Sequence, residues 1–66
     1  MRDWLYKARS DAGFTQSYVA EKLGITESYY CLIENGDRQK KMNISLVSKL
    51  SAILDIPIEQ IVKNEA

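Results

Sequence analysis

The stretch from Gln16 to Asn35, reading QSYVAEKLGITESYYCLIEN, limits the possible fold more than any other part of the chain. Val19, Ala20 and Leu23 recur at helical spacing before Gly24, and Tyr30 and Ile33 do so after it. Thr15 and Thr26 each stand where a hydroxyl can accept a bond from a free backbone N–H and so start a helix. Gly24 supplies the stop between them, because a left-handed backbone costs most residues about 1–2 kcal/mol and glycine almost nothing. Only Ile25 separates Gly24 from the second cap, so the chain must reverse within about four residues and set two short helices at a steep angle. Ala20 on the inner face lets those helices approach closely.

The same reasoning extends to both ends. Met1, Trp4, Leu5, Ala8 and Ala12 form an apolar stripe predicting one amphipathic helix that ends before Gly13. The third helix ends at Asn35-Gly36, a pair suited to a left-handed turn. Asn43 can cap a fourth helix with Ile44, Val47, Leu50, Ile53 and Leu54 inward, and Pro57 can open a fifth with Ile58, Ile61 and Val62. Three starts carry an apolar residue before the cap and another five positions later, the spacing of a hydrophobic staple. These pairs are Phe14 with Val19, Ile25 with Tyr30, and Met42 with Val47. The expectation is one all-α domain over residues 1–66, with five helices and no strand.

Composition narrows the function classes. Of 66 residues, 45% are hydrophobic and spread along the chain, which favours a folded domain over disorder. The one cysteine, Cys31, excludes an intrachain disulfide, and the absence of histidine leaves the usual zinc-ligand sets without members, so no metal or cofactor is expected. Charges interrupt every apolar run from Arg2 onward, so neither a signal peptide nor a membrane span is expected and the default compartment is the cytoplasm. There is no Gly-rich phosphate loop and no carboxylate pair spaced for acid–base work, which disfavours an enzyme. Nine basic and nine acidic residues cancel, so overall charge does not mark nucleic-acid binding. Position does more: Arg38, Lys40, Lys41 and Lys49 fall within fourteen residues whose one acid is Asp37.

With Ile25, Tyr30 and Ile33 inward, rotation at about 100° per residue puts Ser28, Cys31, Leu32 and Asn35 on the outer side of the third helix, with Glu27 at its exposed start. The motif then resembles the Cro/CI-type (XRE-like) helix-turn-helix family of phage and bacterial repressors. The matching residues are Arg9 with Gly13, Thr15-Gln16, Val19-Ala20, Leu23-Gly24-Ile25, Ser28-Tyr29-Tyr30 and Ile33-Glu34-Asn35-Gly36 followed by Arg38. The resemblance covers nearly the whole chain and implies a compact, five-helix, lambda-repressor-like DNA-binding domain. It implies that Gln16 and Ser17 touch phosphate and that Thr26, Glu27, Ser28 and Leu32 approach base edges. Tyr29 and Asn35 would lie at the flank near the backbone, and Arg9 would pair with Glu34.

Three departures from the family pattern matter. Leu32 stands where many members carry a long polar residue, so packing against thymine methyls replaces hydrogen-bond readout there. Glu27 brings negative charge toward DNA, although it also suits the positive end of its own helix. The link GDRQKKMN is about two residues longer than usual by that resemblance, lacks the common proline and is more basic, placing Arg38, Lys40 and Lys41 to clamp phosphates. Cys31 reads as inert, and Trp4, Tyr6, Tyr18 and Tyr30 as core or rim packing.

The reading that follows is a transcription regulator, a repressor that binds a palindromic operator as a homodimer, with half-sites about 34 Å apart. Ile56, Ile58, Ile61 and Val62 either close the core or form the dimer interface. The alternative keeps the fold but makes the chain an antitoxin-like partner whose exposed isoleucines bind another protein.

Overall fold

The computed structural model describes residues 1–66 as five α-helices: α1 Asp3–Asp11, α2 Gln16–Leu23, α3 Glu27–Asn35, α4 Ile44–Leu54 and α5 Ile58–Glu65. No strand is present. The three side-chain caps form as the sequence predicts. Thr15 Oγ1 accepts from the Tyr18 amide at 3.0 Å, Thr26 Oγ1 from Tyr29 at 3.1 Å and Asn43 Oδ1 from Leu46 at 2.8 Å. Phe14, Ile25 and Met42, the residues before those caps, pack on the core that holds Val19, Tyr30 and Val47.

Two left-handed glycines close the central helices. Gly24 takes φ 77, its amide donates to Glu21 O at 3.1 Å, and the Ile25 amide donates to Ala20 O at 3.0 Å. Gly36 takes φ 86, with Gly36 N–H on Ile33 O at 3.1 Å and Asp37 N–H on Leu32 O at 2.8 Å. Both are Schellman closures, which satisfy the last carbonyls of a helix while turning the chain away.

All five helices share one core, in which Leu5, Val19, Tyr30, Leu50 and Ile61 are fully buried. Ala20 retains 2% exposure at the α2–α3 contact, as close approach of those helices requires. Several residues expected inside lie outside. Met1 is 68% exposed, since it precedes α1 and Arg2, bonded through its backbone amide to Glu34 O, takes the buried place. Ala12 follows the last turn of α1 and is exposed. Ile44, 71% exposed, sits about 120° around the helix from Leu50, and Leu46 takes the buried place instead. On α5, Ile61 is buried and Ile56 before the helix half-buried, whereas Ile58 and Val62 stay 38% and 56% exposed. No helix is long and apolar enough to cross a membrane.

Candidate nucleic-acid interface

The outer surface of the α2–α3 pair begins at two helix N-termini. Ser17, Thr26, Glu27 and Ser28 are all exposed there. The first amides of each helix have no intrahelical acceptor, so both ends favour an anion. Along α3, Leu32 and Cys31 are half-buried and Asn35 is exposed, its amide donating to Cys31 Sγ at 3.7 Å. Ser28 and Leu32 thus lie on the side of α3 away from the core residues Tyr30 and Ile33, while Thr26 is exposed at the N-cap that precedes the helix. Glu27 is in the first turn of α3, where its charge complements the helix dipole.

Behind this face a buried carboxylate fixes the orientation of α3. Glu34 has 1% exposure, which is unfavourable for a charge without partners. Arg9 grips it through two bonds, Nε to Oε2 at 2.9 Å and Nη2 to Oε1 at 3.0 Å. Tyr30 OH donates to Oε2 at 2.7 Å, and Gln16 Nε2 donates to Oε1 at 3.2 Å. Arg9 Nη1 also donates to Phe14 O at 2.9 Å, so one cation ties α1 to the approach of α2 and the end of α3.

Burial opposes ionisation of Glu34, but bonds from Arg9 and Tyr30, with the charge of Arg9, outweigh it and hold the carboxyl below its usual range. The Arg9 guanidinium is raised, first by its bond to Glu34. Burial pushes the Tyr30 hydroxyl well up, and the adjacent carboxylate adds to that shift. Glu34 is therefore an anion accepting from a neutral phenol.

The resemblance to the family carries the Arg9–Glu34 pair, which the structure contains. Two further members were not read from the sequence. Tyr30 stands four residues before Glu34, the spacing of facing positions on a helix, so its hydroxyl was detectable as a partner. Gln16, expected on phosphate, commits one amide hydrogen to Glu34 and is half-buried. Its place at the start of α2 is unchanged, so the face keeps its backbone amide while the side chain serves orientation.

Arg38, Lys40 and Lys41 are exposed in the segment between α3 and α4. Tyr29 is half-buried beside it, and its hydroxyl accepts from Gln39 Nε2 at 3.2 Å, so the flank of α3 and the basic segment are joined. A groove of about 150 Å³ runs there between Tyr29, Ile25, Gln39, Asn43 and Lys49. Tyr29 thus joins the flank of α3 to the basic segment, whose Lys40 and Lys41 also border Glu65 of α5. Cys31 is the additional face residue, and its thiol accepts from Asn35.

This architecture is that of a helix-turn-helix protein. The helix-turn-helix family model matches residues 5–61, and the chain belongs to that family, of the XRE type. It is 47% identical over 45 residues to the uncharacterized HTH-type transcriptional regulator YqaF of Bacillus subtilis (strain 168), covering 68% of this chain and 59% of that protein. It is 32% identical over 57 residues to the HTH-type transcriptional regulator SinR of Bacillus licheniformis, covering 86% of this chain and 50% of that protein. The chain therefore spans between half and three-fifths of the length of these relatives. No solved structure gives a significant match.

Proposed function

We propose that this chain binds double-stranded DNA sequence-specifically as a transcription regulator and performs no chemistry of its own. The observation that carries the reading is the outer face of α3. Thr26 and Ser28 are exposed with Leu32 beside them, while the buried Arg9–Glu34–Tyr30 network holds the helix from behind. Inserted in a major groove, Thr26, Ser28 and Leu32 meet base edges, and Glu27 accepts from a cytosine amino group or serves its own helix end. Ser17, the backbone amide of Gln16, and the flanking Tyr29 and Asn35 meet the phosphodiester backbone. Arg38, Lys40 and Lys41 add cations beside the groove, which offsets the acidic start of α3.

Selection of bound duplexes from a random pool supplies the probe, and three variants then separate the roles. Ser28→Ala and Leu32→Ala change preference at particular base pairs, each by about 1–3 kcal/mol. Lys40→Ala weakens all duplexes alike and lowers the slope of log affinity against log salt by about one unit. If the three variants act equally, the division between reading and positioning is wrong.

The regulator acts as a repressor on a palindromic site, two copies related by a twofold axis reading half-sites about 34 Å apart. Support comes from the apolar side chains left outside: Ile44, Ile58 and Val62. Sedimentation equilibrium tests it, with Val62→Glu converting a dimer to monomer. A chain that is monomeric before the substitution contradicts the dimer and favours the second reading, in which those side chains dock a different protein.

A further inference from the structure

Arg2 has 8% exposure, and a charge so buried needs its donors matched. All three of its side-chain nitrogens are engaged. Nε donates to both carboxylate oxygens of Glu65, at 3.0 and 2.9 Å. Nη1 donates to the carbonyls of Ile33 at 2.5 Å and Arg38 at 3.2 Å, and Nη2 donates to the Gln39 carbonyl. The backbone amide of Arg2 donates to Glu34 O at 2.8 Å. From the other side, Trp4 Nε1 donates to Glu65 at 2.6 Å.

The carbonyls involved explain the arrangement. Ile33 and Glu34 lie in the last turn of α3, where carbonyls lack a partner four residues on and favour a cation, and the Ile33 carbonyl accepts from Arg2 as well as from the Gly36 amide. Arg2 thus caps α3 from outside it. The other two carbonyls, of Arg38 and Gln39, belong to the basic segment. For both to converge on one guanidinium the chain must bend sharply, and Gln39 does so at φ 53, a conformation that residues other than glycine rarely adopt. With those carbonyls turned inward, the Arg38 and Lys40 side chains remain exposed.

The geometry points to Arg2 and Glu65 as positioning residues for DNA-backbone binding: a latch that holds residues 37–41 against the end of α3 and aims their cations. The latch also couples α5 to the basic segment, since Glu65 stands in the last turn of α5. A displacement of α5 by any contact withdraws Glu65, leaves Arg2 without its counter-ion and loosens the segment. This inference rests on the reading that Arg38, Lys40 and Lys41 meet phosphate. The fork shape of the guanidinium is essential, because a single ammonium cannot reach a carboxylate and three separate carbonyls together.

Two variants and one control test it in the whole chain, with amide hydrogen exchange and the salt dependence of binding to the selected duplex as readouts. Glu65→Gln keeps a cooperative unfolding transition. Its Asp37 and Arg38 amides, which bond Leu32 O at 2.8 and 3.2 Å, exchange on the order of tenfold faster while the α2 and α3 interiors stay protected. The salt slope falls by about one unit, as in Lys40→Ala, and base preference is unchanged. Arg2→Lys, although it keeps the charge, loosens the segment as much.

Wild-type protection of Asp37 and Arg38 in folded Glu65→Gln, or full rescue by Arg2→Lys, overturns the latch. Loosened amides with an unchanged slope, where Lys40→Ala does lower it, overturn its positioning role. An unchanged slope in Lys40→Ala itself overturns the phosphate reading instead, and hydrogen exchange then still decides whether the latch exists.

Discussion

Replacing Glu34 by alanine is expected to remove a large part of the chain's stability at neutral pH. The substitution strands a part-buried guanidinium, a buried phenol and the Gln16 amide, all of which now bond to that carboxylate. Breaking one member of a buried ion pair costs about 3–5 kcal/mol. Stability runs at roughly 0.05–0.15 kcal/mol per residue, or about 3–10 kcal/mol for this length, so the loss takes a large part of it. Urea unfolding followed by circular dichroism measures the effect. Replacing Arg9 and Glu34 together by methionine is expected to cost less than Glu34→Ala alone, because no charge is then left unpaired.

The same group sets an acid limit. Its folded carboxyl titrates below the ordinary value of 4.5. Its contribution is therefore complete above that value and disappears as pH falls through the lower folded value. Glu34→Gln removes this acid limb of the stability profile. A wild-type acid limb retained in the Glu34→Gln variant would show that other carboxylates dominate.

The second large effect falls on binding rather than folding. Ser28 is exposed in the first turn of α3, on the proposed groove-facing side. Ser28→Glu adds a second negative charge next to Glu27, where the proposed partner is a polyanion. The chain should fold as before, since an acidic residue in the first turn suits the helix dipole. Affinity for the selected duplex is expected to fall about a hundredfold or more, toward the nonspecific level. Unchanged affinity, measured by fluorescence anisotropy on folded protein, would remove Ser28 from the interface.

The features legible in the sequence are those written in local spacing. Thr15, Thr26 and Asn43 are caps, Gly24 and Gly36 are left-handed stops, and each is decided within a few residues of itself. The side of α3 that faces outward followed from Tyr30 and Ile33 being inward, which is also local. Ile44, Ile58 and Val62 misled because periodicity gives an apolar stripe but not how wide a stripe the neighbours cover. Leu46 is buried where that stripe places Ile44, for the same reason. The Arg2–Glu65 pair spans 63 positions and no helical period relates its members. Nothing short of the packed helices brings a cation near the start of the chain to three carbonyls and a carboxylate of α5. Gln16 shows the opposite case: its position was legible, but which of two anions its amide would meet was not.

The proposed role as a sequence-specific regulator depends on α3 reading base sequence. The most direct test compares affinity for the duplex selected from a random pool with affinity for a scrambled duplex of equal length, at one fixed salt concentration. Enrichment of a single short motif is expected, with a ratio of about a thousandfold or more. A pool that yields no common motif, with equal affinity for selected and scrambled duplexes, would contradict it.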